Sequence, residues 1–184
     1  MTAAVQPGNT AGGSVSSTAR VLVAGVGNMF LRDDGFGPEV ARRLTGDALA
    51  AVPGVRVEDY GIRGMHLAYD LLAGVDLLVL VDTVPPDNRT EHGTATGPGS
   101  IRVLRVGKED LDSGASLDPH GMDPVAVLGR LRSLGGELPL TYVVGCVPAD
   151  LAEGIGLSAP AAAAIPRAVE VIGELLAQHT PIQT

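Results

Sequence analysis

The chain has 184 residues, of which 45% are hydrophobic and only 3% are aromatic, and this predicts one domain with an aliphatic core. Its net charge of -8 argues against nucleic acid or an anionic membrane as a partner. The single cysteine, Cys146, excludes an intrachain disulfide, no apolar run reaches transmembrane length, and the first residues lack a secretory signal, so we expect a cytoplasmic protein.

The chain order predicts a tail followed by alternating strands and helices. Residues 1–19 are rich in Gly, Ser and Thr and are predicted to be a disordered tail, and residues 20–180 are predicted to form one domain. Short apolar or alternating runs predict strands over residues 20–26, 55–60, 76–84, 101–106 and 140–147. Helical spacing of apolar residues predicts helices over residues 38–52, 64–74, 124–135 and 158–179. Polar runs rich in Pro and Gly predict loops over residues 85–100 and 108–122.

This alternation predicts the fold class. Several strands are continuously apolar, which is typical of a largely parallel sheet covered on both faces. We therefore predict an α/β fold, a three-layer α/β/α sandwich with a mostly parallel sheet of about five strands. The alternating run 101–106 is predicted to lie near a sheet edge. Asp123 and Ser158 are predicted helix N-caps, and Pro166 predicts a kink or restart of the closing helix.

The stretch VLVAGVGNMFLRDDGFGPEV joins the first strand to a Gly-rich turn. A dinucleotide fingerprint needs a third glycine where this chain has Phe30, and Asp33 and Asp34 would repel a phosphate. Gly25 and Gly27 therefore indicate a tight turn after the strand. Taken alone, the two aspartates are also consistent with an ordinary helix N-cap or turn.

Two aspartates and a histidine are the candidate site. Asp82 ends the apolar run LLVLV, and ligands bind beyond the carboxyl ends of parallel strands, where Asp34 also lies. His120, in LDPHGMDP, is stiffened by Pro119, although a loop histidine beside a helix is commonly only a surface residue. Three such ligands with open positions suit Zn, Ni, Mn or Fe. The remaining histidines are weaker candidates, with the last expected to be solvated: His66, His92 and His179.

Other catalytic signatures are absent from the sequence. It has no G-x-S-x-G elbow, no H-E-x-x-H motif and no paired C-x-x-C. Cys146 lies inside the apolar run LTYVVGCV and is interpreted as a small core residue.

Four motifs in order resemble one known family. The segments GVGNMFLRDDGFGPEVARRL, LVLVDTV, LDPHGMDPVAVL and LTYVVGCVPADL, the last followed by GIGLSAP, resemble the hydrogenase maturation proteases, endopeptidases that trim nickel-iron hydrogenase large subunits. The resemblance runs from about Val21 to the closing helix. It implies a five-stranded α/β/α sandwich, with Asp34, Asp82 and His120 at the metal-contacting and catalytic positions. It also implies that the resting enzyme holds no metal. Nickel in the large-subunit precursor is recognised, and a C-terminal peptide is released.

Two departures from the family pattern concern the site. The first metal position is often Glu and is the shorter Asp34 here, and a segment that is often Gly-Thr-like reads DYGIRG. Within that segment, Arg63 either contacts the substrate's terminal region or pairs with Asp59. We expect the three site residues to converge at the carboxyl edge of the sheet and to be reached by solvent, because a metal must dock there.

The chemistry and the function class each have alternatives. A metal polarises a carbonyl or acidifies a water, whereas an aspartate general base would need a pKa raised by burial. A non-catalytic module that binds the hydrogenase large subunit, and a nucleotide-binding α/β protein, are the alternatives to an endopeptidase.

Overall fold

The first strand is a continuous apolar run and the third is apolar up to Val81, and both are buried along their whole length in the computed structural model. The structure describes residues 19–86, 96–112 and 124–179. The strands of the described residues are β1 Val21–Val26, β2 Val55–Gly61, β3 Leu77–Thr83, β4 Ile101–Val106 and β5 Leu140–Cys146. The helices are α1 Phe36–Thr45, α2 Gly64–Leu72, α3 Lys108–Asp112, α4 Pro124–Ser133 and α5 Ala159–His179, with short 3₁₀ turns at Arg32–Gly35 and Ala48–Ala51.

The five strands form one sheet in the order β2-β1-β3-β5-β4. β1 pairs in parallel with β2 and β3, and β3 pairs in parallel with β5. The edge strand β4 is antiparallel to β5. The predicted mostly parallel sheet is therefore confirmed, as is the edge position of the alternating run 101–106. The carboxyl ends of β1, β2, β3 and β5 meet at one edge of the sheet.

Helices cover both faces of the sheet, because the side chains of each strand alternate between them. On one face, Val21 and Val23 of β1 pack with Phe36 and Val40 of α1 and with the apolar stripe of α5. On the other face, Leu22 and the rest of its row pack with α2 and α4. The three-layer α/β/α prediction is confirmed, and the core is aliphatic as the composition predicts.

Several predicted boundaries are wrong in instructive ways. The predicted helix 38–52 is two elements, since α1 ends at Thr45 and Asp47 accepts a hydrogen bond from the Leu49 N–H at 3.1 Å to begin a 3₁₀ turn. The predicted loop 108–122 contains α3 at its start. Of the predicted kink or restart at Pro166, the restart is wrong: α5 runs through Pro166, which lies on the exposed side of the helix.

Some predictions lie wholly or partly outside the described residues. They are the disordered tail 1–19, of which only Ala19 is described, and the Asp123 cap. The single-domain assignment for residues 20–180 stays a prediction. No helix of the described residues is both long and apolar enough to cross a membrane.

Candidate active site

The Gly-rich turn brings a second backbone segment against the end of β1. Gly27 has a φ of 129°, and a Cβ at this position would lie 1.9 Å from the backbone oxygen of Asp34. A Cβ on Gly25 would lie 2.3 Å from the backbone oxygen of Gly37. The two glycines are therefore needed because two segments pack directly on them. These are the 3₁₀ turn Arg32–Gly35, which we call the aspartate turn, and the start of α1.

Asp33 is a structural residue that ties three segments together. Its buried carboxylate accepts hydrogen bonds from the backbone N–H groups of Ala149 (2.8 Å), Asp150 (3.0 Å) and Ser158 (2.6 Å), and from the Ser158 hydroxyl (2.8 Å). Burial pushes the pKa of Asp33 upward, but these four hydrogen bonds outweigh burial and lower it. Asp33 therefore stays ionised and holds the loop after β5 and the start of α5 against the aspartate turn.

Asp34 and Asp82 face the same residue, Thr83. The Thr83 hydroxyl donates to Asp34 Oδ1 at 3.3 Å, and the Thr83 N–H donates to Asp82 Oδ1 at 2.7 Å. Asp34 Oδ2 also accepts from the N–H of Asn28 at 2.8 Å. Two carboxylates from positions 48 residues apart thus both accept a hydrogen bond from Thr83, the last residue of β3, at the carboxyl edge of the sheet.

The expected solvent access of these carboxylates is not observed. Asp34 is only 8% exposed and Asp82 only 2%. The reason is the packing just described, because the turn of Gly27 and Asn28 lies directly on Asp34. Asp82 Oδ1 lies 3.7 Å from the position that a Cβ on Gly27 would take, so the same turn borders both carboxylates.

The third candidate ligand, His120, lies outside the described residues, so its convergence with the aspartates stays a prediction. Within residues 19–86, 96–112 and 124–179, no group of three or more His, Cys, Asp or Glu residues could hold a metal ion. His66 is exposed in the first turn of α2. His179, expected to be solvated, is partly exposed, and its ring also lies 5.4 Å from that of Tyr142.

A strained residue stands directly before the aspartates. Arg32 has a φ of 47°, a left-handed conformation that non-glycine residues seldom adopt. The strain is held by neighbours on the loop after β5, since the Arg32 N–H donates to the Gly154 oxygen at 3.0 Å and its guanidinium pairs with Asp150 at 3.1 Å. The Gly154 N–H in turn donates to the oxygen of Phe30 at 2.8 Å. Two backbone hydrogen bonds and one ion pair therefore hold the start of the aspartate turn against the loop after β5.

Sequence reasoning missed the residues that orient the carboxylates. Thr83 is the last residue of β3, and Asn28 stands two residues after the end of β1, so their place at strand ends was the available signal. Ser158 was predicted as a helix cap, and its hydroxyl does accept from the Ala161 N–H at 3.4 Å. Its bonds to Asp33 have no sequence signal, because they join positions 125 residues apart.

Cys146 is buried within the core, as the sequence indicates. Burial, and then the negative charge of Asp33, raise the pKa of its thiol to about 11. The thiol is therefore protonated at neutral pH, and it is unsuited to act as a nucleophile.

Arg63 contacts backbone and not the Asp59 side chain. Its Nε donates to the oxygen of Tyr60 at 3.1 Å, and its terminal nitrogen donates to the backbone oxygen of Asp59. It makes no ion pair with any carboxylate of the described residues. Of the two roles considered for Arg63, pairing with the Asp59 carboxylate is not observed.

The fold is an α/β sandwich with acidic groups at the carboxyl edge of a mostly parallel sheet, and comparison with known proteins defines the chain as an endopeptidase. The hydrogenase maturation protease model (HycI) matches residues 38–175, and the chain belongs to this family. The hydrogenase 2 maturation protease of Escherichia coli K12 is 29% identical over 154 residues, covering 83% of this chain and 88% of that protein.

Solved structures agree with this assignment. The hydrogenase maturating endopeptidase HybD of E. coli has a TM-score of 0.66 at 28% identity, covering 86% of this chain and 93% of that chain. The hydrogenase 2 maturation peptidase of Thaumarchaeota archaeon SCGC_AB-539-E09 has a TM-score of 0.62 at 29% identity, covering 86% and 98%.

Proposed function

We propose that this endopeptidase removes a C-terminal peptide from a nickel-loaded precursor of a nickel-iron hydrogenase large subunit. The observation that carries the proposal is that Asp34 and Asp82 both accept a hydrogen bond from Thr83, in a chain of this family. Carboxylate oxygens, with an imidazole, are donors that nickel accepts. The proposal places the reaction in the cytoplasm, which suits a chain with one buried, reduced cysteine.

In this proposal, the nickel arrives with the substrate. Asp34, Asp82 and His120 contact it and hold the precursor with the bond to be cut against the sheet edge. Nickel in this position polarises a carbonyl or acidifies a water. Thr83 and Asn28 fix the two carboxylates by donating hydrogen bonds to them, which orients their other lone pairs.

The attacking group in this proposal is water. Cys146 is excluded as the nucleophile because its thiol is buried and protonated. Asp34 or Asp82 accepts the proton that the water loses, and the same proton reaches the leaving amine as the peptide bond breaks. The chain's contribution is therefore the position of two carboxylates and the exclusion of bulk water from them.

The test compares the mass of the precursor before and after incubation with the enzyme. Nickel-loaded precursor should lose a C-terminal peptide, and nickel-free precursor should keep its mass. Asp34→Asn, Asp82→Asn and His120→Ala should each leave nickel-loaded precursor uncut. Equal cleavage of nickel-loaded and nickel-free precursor would refute the recognition of nickel, and uncut precursor in both forms would refute the proposed function.

Matched controls come from the same chain. Asp76 precedes β3 at the opposite end of the strand from Asp82 and pairs with Arg20 on the surface. His66 is an exposed histidine on α2. Asp76→Asn and His66→Ala should cleave at the wild-type rate, which would show that the loss in the site variants depends on position.

A further inference from the structure

A shallow groove opens beside the two aspartates. Its volume is about 380 Å³, and it is lined by the side chains of Met29, Phe30, Pro38, Asp59, Tyr60, Ile62 and Arg63. We call it the Ile62–Arg63 groove. Gly27 and Asn28 also line it, and the Asn28 N–H is the group that donates to Asp34. The groove and the candidate active site therefore share the turn of Gly27 and Asn28.

The groove has an apolar surface that faces solvent. Met29 is 55% exposed, Phe30 60% and Ile62 63%. Single exposed apolar residues are common, but large ones gathered in one concave patch mark a binding surface. Met29 and Pro38 also line a neighbouring cavity of about 230 Å³ that contains the exposed Ile155, so the apolar surface continues past the groove.

One cation lies in this apolar surface and is held in place. Arg63 bonds to two backbone oxygens, and its own N–H donates to the oxygen of Tyr60 at 2.8 Å. Tyr60 is buried, and its hydroxyl donates to Asp70 of α2 at 2.5 Å. The guanidinium is thus fixed before a ligand arrives, which lowers the entropy cost of binding an anion.

We infer that the Ile62–Arg63 groove binds an extended segment of the precursor beside the cleaved bond, with an apolar side chain on Phe30 and Ile62 and an acidic side chain on Arg63. The inference rests on the proposed function and assigns a specificity site to it. Charge complementarity selects the carboxylate, because Arg63 makes no ion pair within the described residues. Asp59 also lines the groove, and its carboxylate disfavours a second acidic group in the bound segment.

The open shape of the groove favours a side chain over the end of the peptide. Sites that capture a terminal carboxylate enclose it with backbone N–H groups. Here the anchoring group is a side-chain guanidinium, and its apolar neighbours are more than half exposed. An extended chain that passes through the groove can place one side chain on the guanidinium and another on the exposed apolar residues.

Steady-state kinetics on nickel-loaded precursor test the role of Arg63. Arg63→Ala should raise KM by about tenfold with little change in kcat, because a charged hydrogen bond to the bound segment is lost. Arg63→Lys should recover part of the loss, and Ile62→Ser should raise KM as well. Arg43→Ala on α1 and Leu72→Ser on α2 are exposed matched controls that should leave KM unchanged. Unchanged KM in Arg63→Ala, or equal effects in the controls, would overturn the inference.

A cross-linking experiment separates failure of this inference from failure of the proposed function. Photoactivatable p-benzoylphenylalanine is placed at position 62 in an Asp82→Asn background and irradiated with nickel-loaded precursor. The cross-link should map to the precursor residues next to the cleavage position. The same probe placed at position 72 of the enzyme should give no cross-link. If the wild-type enzyme cleaves the precursor but the probe at position 62 cross-links elsewhere on the precursor, or not at all, the groove assignment is overturned and the proposed function stands. If the wild-type enzyme cut no precursor, the proposed function itself would fail.

Discussion

Adjacent Asp33 and Asp34 are expected to respond in opposite ways to the same substitution. Asp33→Asn keeps the shape of the side chain but replaces one acceptor oxygen with an amide that donates. Three donors to Oδ2 can keep an oxygen partner, whereas the Ser158 N–H at Oδ1 then faces an N–H group. Asp34→Asn, by contrast, is expected to stop cleavage with little loss of stability.

The expected loss for Asp33→Asn follows from these contacts. A buried donor left without an acceptor costs roughly 1–3 kcal/mol, and three hydrogen bonds lose their charge assistance, while a neutral amide is cheaper to bury than a carboxylate. We expect unfolding free energy to fall by about 3 kcal/mol at pH 7, which corresponds to a fall in Tm of about 6–12 °C. The measurement is urea unfolding of both proteins, with thermal melting as a check.

The same prediction has a pH dependence. The pKa of Asp33 is lowered from 3.8 in the folded protein, so the unfolded chain binds this proton more readily and stability rises with pH through that range. The contribution is fully present above about pH 3.8 and is lost as the pH falls through the folded value. The stability gap between wild type and Asp33→Asn should therefore narrow below pH 3.8.

The control for Asp33 is its neighbour on the facing loop. Asp150→Asn removes a half-exposed partner of Arg32 and should cost no more than about 1 kcal/mol. Equal stability of Asp33→Asn and wild type at pH 7, or a gap that stays constant in acid, would show that the four hydrogen bonds do not act as described.

Two further predictions concern residues around the site. Gly27→Ala should reduce stability and cleavage together, because the new Cβ would overlap the backbone oxygen of Asp34 and a φ of 129° is unfavourable for a residue with a side chain. Urea unfolding measures the stability, and the precursor mass assay measures the cleavage. A variant that is both stable and active would contradict the prediction. Cys146 should react slowly with a thiol reagent at pH 8 in the native protein and quickly in urea, because burial protects a thiol whose pKa is about 11; fast native labelling would contradict the buried position.

The parts of the fold that follow from local pattern were predictable from sequence. The apolar runs of β1 and β3 specify buried parallel strands, and the alternation in β4 specifies an edge. The end of α1 was misplaced because residues 46–52 continue the helical spacing, while Gly46 and the Asp47 cap stop the helix. Capping depends on one residue and its backbone geometry, which periodicity does not contain.

The candidate site was predictable only in part. Strand ends located Asp34 and Asp82, because parallel topology alone brings such ends together. Sequence could not assign different roles to Asp33 and Asp34, since both stand in one turn and only their distant partners differ. It also left open the Arg63 contacts, which are to backbone oxygens that no side-chain pattern indicates.

The bonds of Asp33 also set an order for biosynthesis. Its partners lie 116, 117 and 125 residues further along the chain, so the turn that carries Asp34 cannot be completed before residues 149–158 have been synthesised. Contacts of such separation form late and slowly in folding. In a nascent chain that lacks the start of α5, the turn that carries Asp33 and Asp34 does not yet have its final geometry. The turn that carries Asp34 therefore acquires its final geometry only after the start of α5 has been made.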